Sequence, residues 1–216
     1  MQIAIVLYPR FTALDAVGPY EVLSRIPGAE TVFVAAERGP VANENGELSL
    51  TATASFGEVP RPDVVVVAGG AGTQDQLAED GPLVTWLRAV DAHTTWTTSV
   101  CSGSLILAAA GLLKGRKATS HWKVTEFLPM FGAEPTSQRV VQEGKYVTAA
   151  GVSSGVDMAL ALAGRIAGDT DAQAIQLAVE YDPQPPYDAG SPAKAAPEVH
   201  AAFAARERAL IWGEPD

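Results

Sequence analysis

Residues 94–113 read TTWTTSVCSGSLILAAAGLL, and the junction inside them decides the fold. A β-type run rich in Thr and Val closes at Val100. Next comes the chain's single cysteine, Cys101, then Ser102-Gly103-Ser104 and an apolar helical stretch from Leu105 to Leu113. The natural reading is a strand that turns directly into a helix. A thiol there lies beside the unpaired N–H groups of the first helical turn, whose positive end favours thiolate over thiol. Cys101 is therefore expected to be exposed and activated. On local sequence alone the alternative is a small buried hydrophobe, as free cysteine often is.

Upstream, Asp63 to Ala68 (DVVVVA) is the clearest buried strand, and it runs into Gly69-Gly70-Ala71-Gly72. Glycines after a strand either make a tight turn or aim N–H groups at a developing anion. The run matches neither a dinucleotide fingerprint nor a P-loop, so no nucleotide cofactor is indicated. Gln2 to Tyr8 reads as another doubly buried strand, followed by a helix in TALDAVGPYEVLSRI that carries Asp15 at its entrance. Asp15 either caps that helix or serves a site. Glu21, farther in, reads as solvated or paired helix surface.

Thr31 to Ala36 is a second strand. Leu48 to Ala54, after the turn Asn43-Glu44-Asn45-Gly46, reads as part of an edge hairpin. A helix over Asp80 to Ala92 returns the chain to the cysteine strand. This alternation predicts one α/β domain: a flavodoxin-like three-layer sandwich, its mostly parallel central sheet covered by helices on both faces. Ligands of such sheets bind at the carboxyl ends of the strands, and Asp15, Gly70 and Cys101 each follow a strand.

Downstream, His121 in ATSHW follows a short strand and opens a helix from Lys123 to Phe131, whereas His93 and His200 read as surface residues. Arg139 to Gln142 and Tyr146 to Ala149 form a hairpin, and helices follow over Gly151 to Ala167 and Thr170 to Val179. A proline-rich arm spans 181–197, and a last helix spans 198–212. The arm either wraps its own domain or crosses to a second subunit.

The chain has 216 residues, nearly half of them apolar, and a formal charge of −10. That charge excludes nucleic acid as an expected partner, and no stretch approaches a membrane span. One cysteine excludes an internal disulfide, and MQIAIVLYPRF lacks the features of a signal peptide, so a cytoplasmic protein is expected. Three histidines without ligand spacing give no metal site.

Together LDAVGP, DVVVVAGG, TSVCSGSLILAAAGLL, ATSHW and AAGVSSGVD resemble the ThiJ/PfpI superfamily of class I glutamine-amidotransferase-like proteins across nearly the whole chain. Asp15 in LDAVGP, the Cys-Ser-Gly-Ser turn, the YDPQPP arm and Ala-Gly-Ser-Pro at 189–192 are similar to its isonitrile-hydrating branch in particular. The resemblance implies a cofactor-independent, typically homodimeric lyase that turns a small isonitrile and water into an N-substituted formamide. It implies Cys101 as nucleophile and Asp15 as acid and base, with Gly70, Ser102 and His121 orienting substrate or water. Ser102 stands where the peptidase-like branch carries His, which speaks against peptidase chemistry, and where hydratases often carry Thr. The glyoxalase and repair branch usually has Glu in place of Asp15. Glyoxalase or deglycase chemistry, and a non-catalytic cysteine sensor, are the alternatives.

Overall fold

The computed structural model describes residues 1–212. Its strands are β1 (Gln2–Val6), β2 (Glu30–Ala35), β3 (Gly39–Ala42), β4 (Ser49–Ala52), β5 (Ala54–Ser55), β6 (Val64–Val67), β7 (Trp96–Val100), β8 (Lys117–Ala118), β9 (Glu134–Pro135), β10 (Val140–Glu143) and β11 (Tyr146–Ala149). The helices are α1 (Ala13–Leu23), α2 (Pro82–Asp91), α3 (Gly103–Ala109), α4 (Ser154–Ala167), α5 (Asp169–Ala178), α6 (Pro197–Ala205) and α7 (Glu207–Trp212). Seven strands form the central sheet in the order β10-β11-β7-β6-β1-β2-β5, all parallel except the β10–β11 hairpin.

Burial explains why the central strands are continuous apolar runs. All four valines of β6 are fully buried, as are Ile3 to Val6 of β1, because helices cover both faces and leave no polar side for alternation. The β1–β2 crossover through α1 runs one way along the sheet, and the β6–β7 crossover through α2 runs the other. Right-handed crossovers of opposite direction put α1 and α2 on opposite faces. Helix α4 packs with α1, α5 packs on α4, and α3 packs with α2.

That reversal makes the carboxyl edge of β7, β6 and β1 the switch point of the sheet. The three strands are in register there, with Val6 beside Val67 and Val67 beside Ser99. The loops carrying Asp15, Gly69-Gly70 and Cys101 therefore leave from neighbouring positions.

Four local expectations change. The hairpin over residues 39–52 is a separate two-stranded sheet, and only Ala54–Ser55 join the central sheet, parallel to β2. Its turn folds back on the β1–α1 loop, where the Glu44 N–H donates to Phe11 O at 3.1 Å. Residues 125–131 form a 3₁₀ helix rather than an α-helix, since Pro129 supplies no N–H to an i−4 bond. Helix α3 ends at Ala109, ahead of Gly111 at φ 81°. The terminal helix is two helices, α6 and α7, broken at Arg206, which leaves helical geometry at φ −125°.

Both helices grip the body of the protein. Glu207 pairs with Lys123 at 2.9 Å, and Phe203 packs on Trp122 with ring centroids 5.1 Å apart. The arm over residues 181–196 contains neither helix nor strand.

Close backbone approach makes Gly103 obligatory, because a Cβ there would overlap the carbonyl oxygen of Val67 in β6. Gly103→Ala is expected to cost about 3 kcal/mol or more, as large steric insertions into a packed core do. Urea denaturation of the purified variant checks it.

Candidate active site

Cys101 sits at a sharp elbow with φ 57°, a left-handed conformation that costs a non-glycine residue about 1–2 kcal/mol. The surroundings hold it there. Its N–H donates to Ala149 O at 3.1 Å and Ala150 O at 2.8 Å, and its carbonyl accepts from the Ser120 hydroxyl at 3.0 Å. A Cβ on Gly69 would stand 2.5 Å from Ser102 N and 2.8 Å from Cys101 Cβ, so the β6 loop lies flat against the elbow only because residue 69 is glycine.

The two glycine amides tie three loops together. Gly69 N–H donates to Asp15 Oδ2 at 2.9 Å, and Gly70 N–H donates to Ser102 Oγ at 3.0 Å. Asp15 is therefore no helix cap: α1 has no side-chain cap at all, and this carboxyl reaches across to the next strand's loop instead. The Gly70 amide is also not the free anion donor expected from sequence, because the Ser102 hydroxyl already occupies it.

Both reactive groups are buried. Asp15 is fully excluded from solvent, and its Oδ1 has no hydrogen-bonding partner of good geometry. Burial pushes its pKa up to about 8; the Gly69 bond opposes this, the nearby Glu44 charge adds to it, and the Cys101 thiol lowers it slightly. The expectation of an exposed, activated cysteine is overturned. Cys101 is only 7% exposed, and burial first, then the neighbouring Asp15 charge, raise its thiol well above the ordinary value. The Ser102 amide pulls the other way, but desolvation outweighs it. Two acids that each disfavour ionisation of the other behave as one coupled site.

A cavity of about 370 Å³ opens onto Cys101. The polar part of its wall comprises Thr12, Glu44, Gly70, Thr73, Ser102 and His121, and the apolar part includes Leu77, Leu105, Val124, Phe127, Met130 and Phe131. Leu210 and Ile211 of α7 complete the apolar wall, so the C-terminal helix pair reaches its own chain's site. His121 Nδ1 accepts from Lys123 N–H at 3.3 Å, which leaves the ring proton on Nε2. Burial and the Lys123 charge lower its pKa, keeping the imidazole neutral. His93 and His200 lie away from this cavity, and His200 contacts Pro192 O.

Glu44, Tyr8 and Thr73 were not legible as site residues in the sequence. Glu44 belongs to a hairpin turn that only tertiary folding brings to the pocket, where Thr12 Oγ1 donates to it at 2.8 Å and burial raises its pKa. Among the described residues no group of three or more His, Cys, Asp or Glu is arranged to hold a metal ion. No helix among them is long and apolar enough to cross a membrane.

Residues 1–165 match the DJ-1/PfpI family over a span that includes every side chain of the polar wall. The chain belongs to the DJ-1/PfpI family. Isonitrile hydratase of Pseudomonas putida is 43% identical over 192 residues, covering 89% of this chain and 83% of that protein. The crystal structure of a ThiJ/PfpI family protein from Pseudomonas syringae superposes with a TM-score of 0.91 at 40% identity, covering 98% of this chain and 87% of that one. The transcriptional regulator CdhR of Pseudomonas aeruginosa is 30% identical over 185 residues, 82% of this chain but only 52% of that protein. The elbow and its partner carboxyl thus lie within the DJ-1/PfpI match, whereas α6 and α7 lie beyond it.

An acid with a raised folded-state pKa keeps its proton in the native protein while the unfolded chain releases it. Stability from Asp15 is thus fully present below about pH 4 and is lost as pH rises toward about 8. Asp15→Asn is expected to be more stable than the parent near pH 8, by on the order of a few kcal/mol, with the gap closing near pH 4. Paired denaturation curves across that range check the sign.

Proposed function

We propose that this chain hydrates small isonitriles, R–N≡C, to N-substituted formamides. The observation that carries the reading is a fully buried carboxyl, Asp15, its pKa pushed up to about 8, beside the Cys101 thiol that lines a largely apolar cavity. The 43% identity to the Pseudomonas putida isonitrile hydratase supports it. An isonitrile is neutral, and its terminal carbon must gain both a nucleophile and a proton. A neutral acid next to a thiol offers both without placing two negative charges in one dry site.

Cys101 sulfur attacks the terminal carbon as a proton reaches that carbon from the Asp15–Cys101 pair, giving the thioimidate R–N=CH–S–Cys. Water then adds to the same carbon, the nitrogen takes a proton, and the C–S bond breaks to release R–NH–CHO and the thiol. Asp15 serves as acid in the first half and as base toward water in the second. Neutral His121, with Nε2–H, is suited to orient substrate or water. The apolar wall, Leu210 and Ile211 included, takes the R group.

The alternatives are less well supported. A redox sensor works through an accessible low-pKa thiolate, whereas this thiol is buried and held protonated. Glyoxalase-type hydrolysis would use the same pair on a polar aldehyde, for which the long apolar wall is a poor match. The reading carries with it a cytoplasmic homodimer that acts on a small neutral substrate.

Separate assays of the purified protein with cyclohexyl isocyanide and with methylglyoxal test the proposal. Formamide production is expected, abolished in Cys101→Ala and lowered about a hundredfold to ten-thousandfold in Asp15→Asn. Turnover of the aldehyde alone would remove the hydratase reading.

A further inference from the structure

Beside the nucleophile, three buried hydroxyls lie in a row that the mechanism above does not use. Tyr8 Oη is 2.9 Å from Ala68 O and 3.0 Å from Thr73 Oγ1, and Thr73 Oγ1 is 2.7 Å from Ser102 Oγ. Ser102 Oγ also accepts from Gly70 N–H at 3.0 Å. Tyr8, Thr73 and Ser102 are all under 9% exposed.

The direction of every proton follows from counting. A hydroxyl has one proton and two acceptor lone pairs, whereas a carbonyl oxygen only accepts. The Tyr8 proton is therefore directed to Ala68 O. The Tyr8–Thr73 contact can then be a hydrogen bond only if Thr73 donates, and the Thr73–Ser102 contact only if Ser102 donates. A carbonyl three links away thus fixes where the Ser102 proton points.

We propose that Tyr8 and Thr73 are positioning residues that hold the Ser102 proton away from Cys101, so that Ser102 Oγ presents a lone pair rather than a proton to the reacting centre. One lone pair of Ser102 takes the Gly70 amide, and one is left to face the site. In the resting enzyme it accepts from the Cys101 thiol and keeps sulfur protonated. In the second half of the reaction it accepts from the attacking water and aims the oxygen at the thioimidate carbon. This last role rests on the hydratase reading; the control of the thiol does not.

The titratable groups facing Cys101 are Asp15 from α1, Glu44 from the β3–β4 turn, Tyr8 just after β1, and His121, which lines the same cavity. Thr73→Val leaves all four in place and removes the acceptor of the Ser102 proton. Tyr8→Phe removes the last hydroxyl, so that Thr73 can donate to Ser102 and release its proton toward sulfur. Both changes delete a polar group, yet both make the thiol more acidic.

The experiment is the pH profile of Cys101 alkylation by iodoacetamide, together with isonitrile kinetics, for the parent, Thr73→Val, Tyr8→Phe and Thr73→Ser. In the Val and Phe variants the alkylation profile is expected to move to lower pH, with about a threefold to tenfold faster reaction at pH 7. The kcat for isonitrile is expected to fall about tenfold with KM little changed, and Thr73→Ser restores both parental values. A profile that stays in place or moves to higher pH in Thr73→Val or Tyr8→Phe overturns the proposal. A parent that alkylates as expected, shifts in the variants and turns over no isonitrile would keep the relay and remove the hydratase reading.

Discussion

Everything at this site depends on one constraint: a buried pocket holding a carboxyl and a thiol in mutual contact tolerates very little negative charge. Burial raises both Asp15 and Cys101, each raises the energy of the other's ionised form, and the half-buried Glu44 adds to the same field. The helix terminus at Cys101 does not reverse this. Helix-end stabilisation is worth about 0.3–1 kcal/mol in exposed settings, and α3 is only seven residues long. Desolvation of the buried thiol is the larger effect. The site therefore rests as an acid pair with a proton to give, which suits a substrate carbon that needs a proton and a nucleophile together.

The backbone is shaped to keep that pair together. Strand order β7-β6-β1 brings the three loops side by side, and the switch in crossover direction leaves space above them. The left-handed turn at Cys101 would relax if free, but two carbonyls hold its N–H and Ser120 holds its carbonyl. Gly69 and Gly103 allow β6 and its loop to touch the elbow directly, and the Gly69 amide anchors Asp15 from the far side. Strain, close packing and the acid's position are one arrangement.

Much of this was legible in the sequence because it rests on local patterns. Four consecutive valines before glycines fix β6, the Thr/Val run before Ser-Gly-Ser fixes the elbow, and alternation of strands and helices fixes the carboxyl edge as the site. The charge state of Cys101 was not legible, because it is set by desolvation from Asp15 and the packed loops rather than by position on a helix. Glu44, Tyr8 and Thr73 are distant in sequence and ordinary in context; only the fold brings Glu44 to the cavity and stacks the hydroxyls behind Ser102. The break at Arg206 has the same cause, since the Phe203–Trp122 packing that seats α6 and the Glu207–Lys123 pair that seats α7 are both tertiary.

The central claim, that Asp15 carries a proton in the resting protein, is most directly tested by infrared difference spectroscopy at pH 7 between the parent and Asp15→Asn. The account predicts that the substitution removes the C=O stretch of a protonated carboxyl in an apolar setting. Loss of an ionised carboxylate band instead would contradict it.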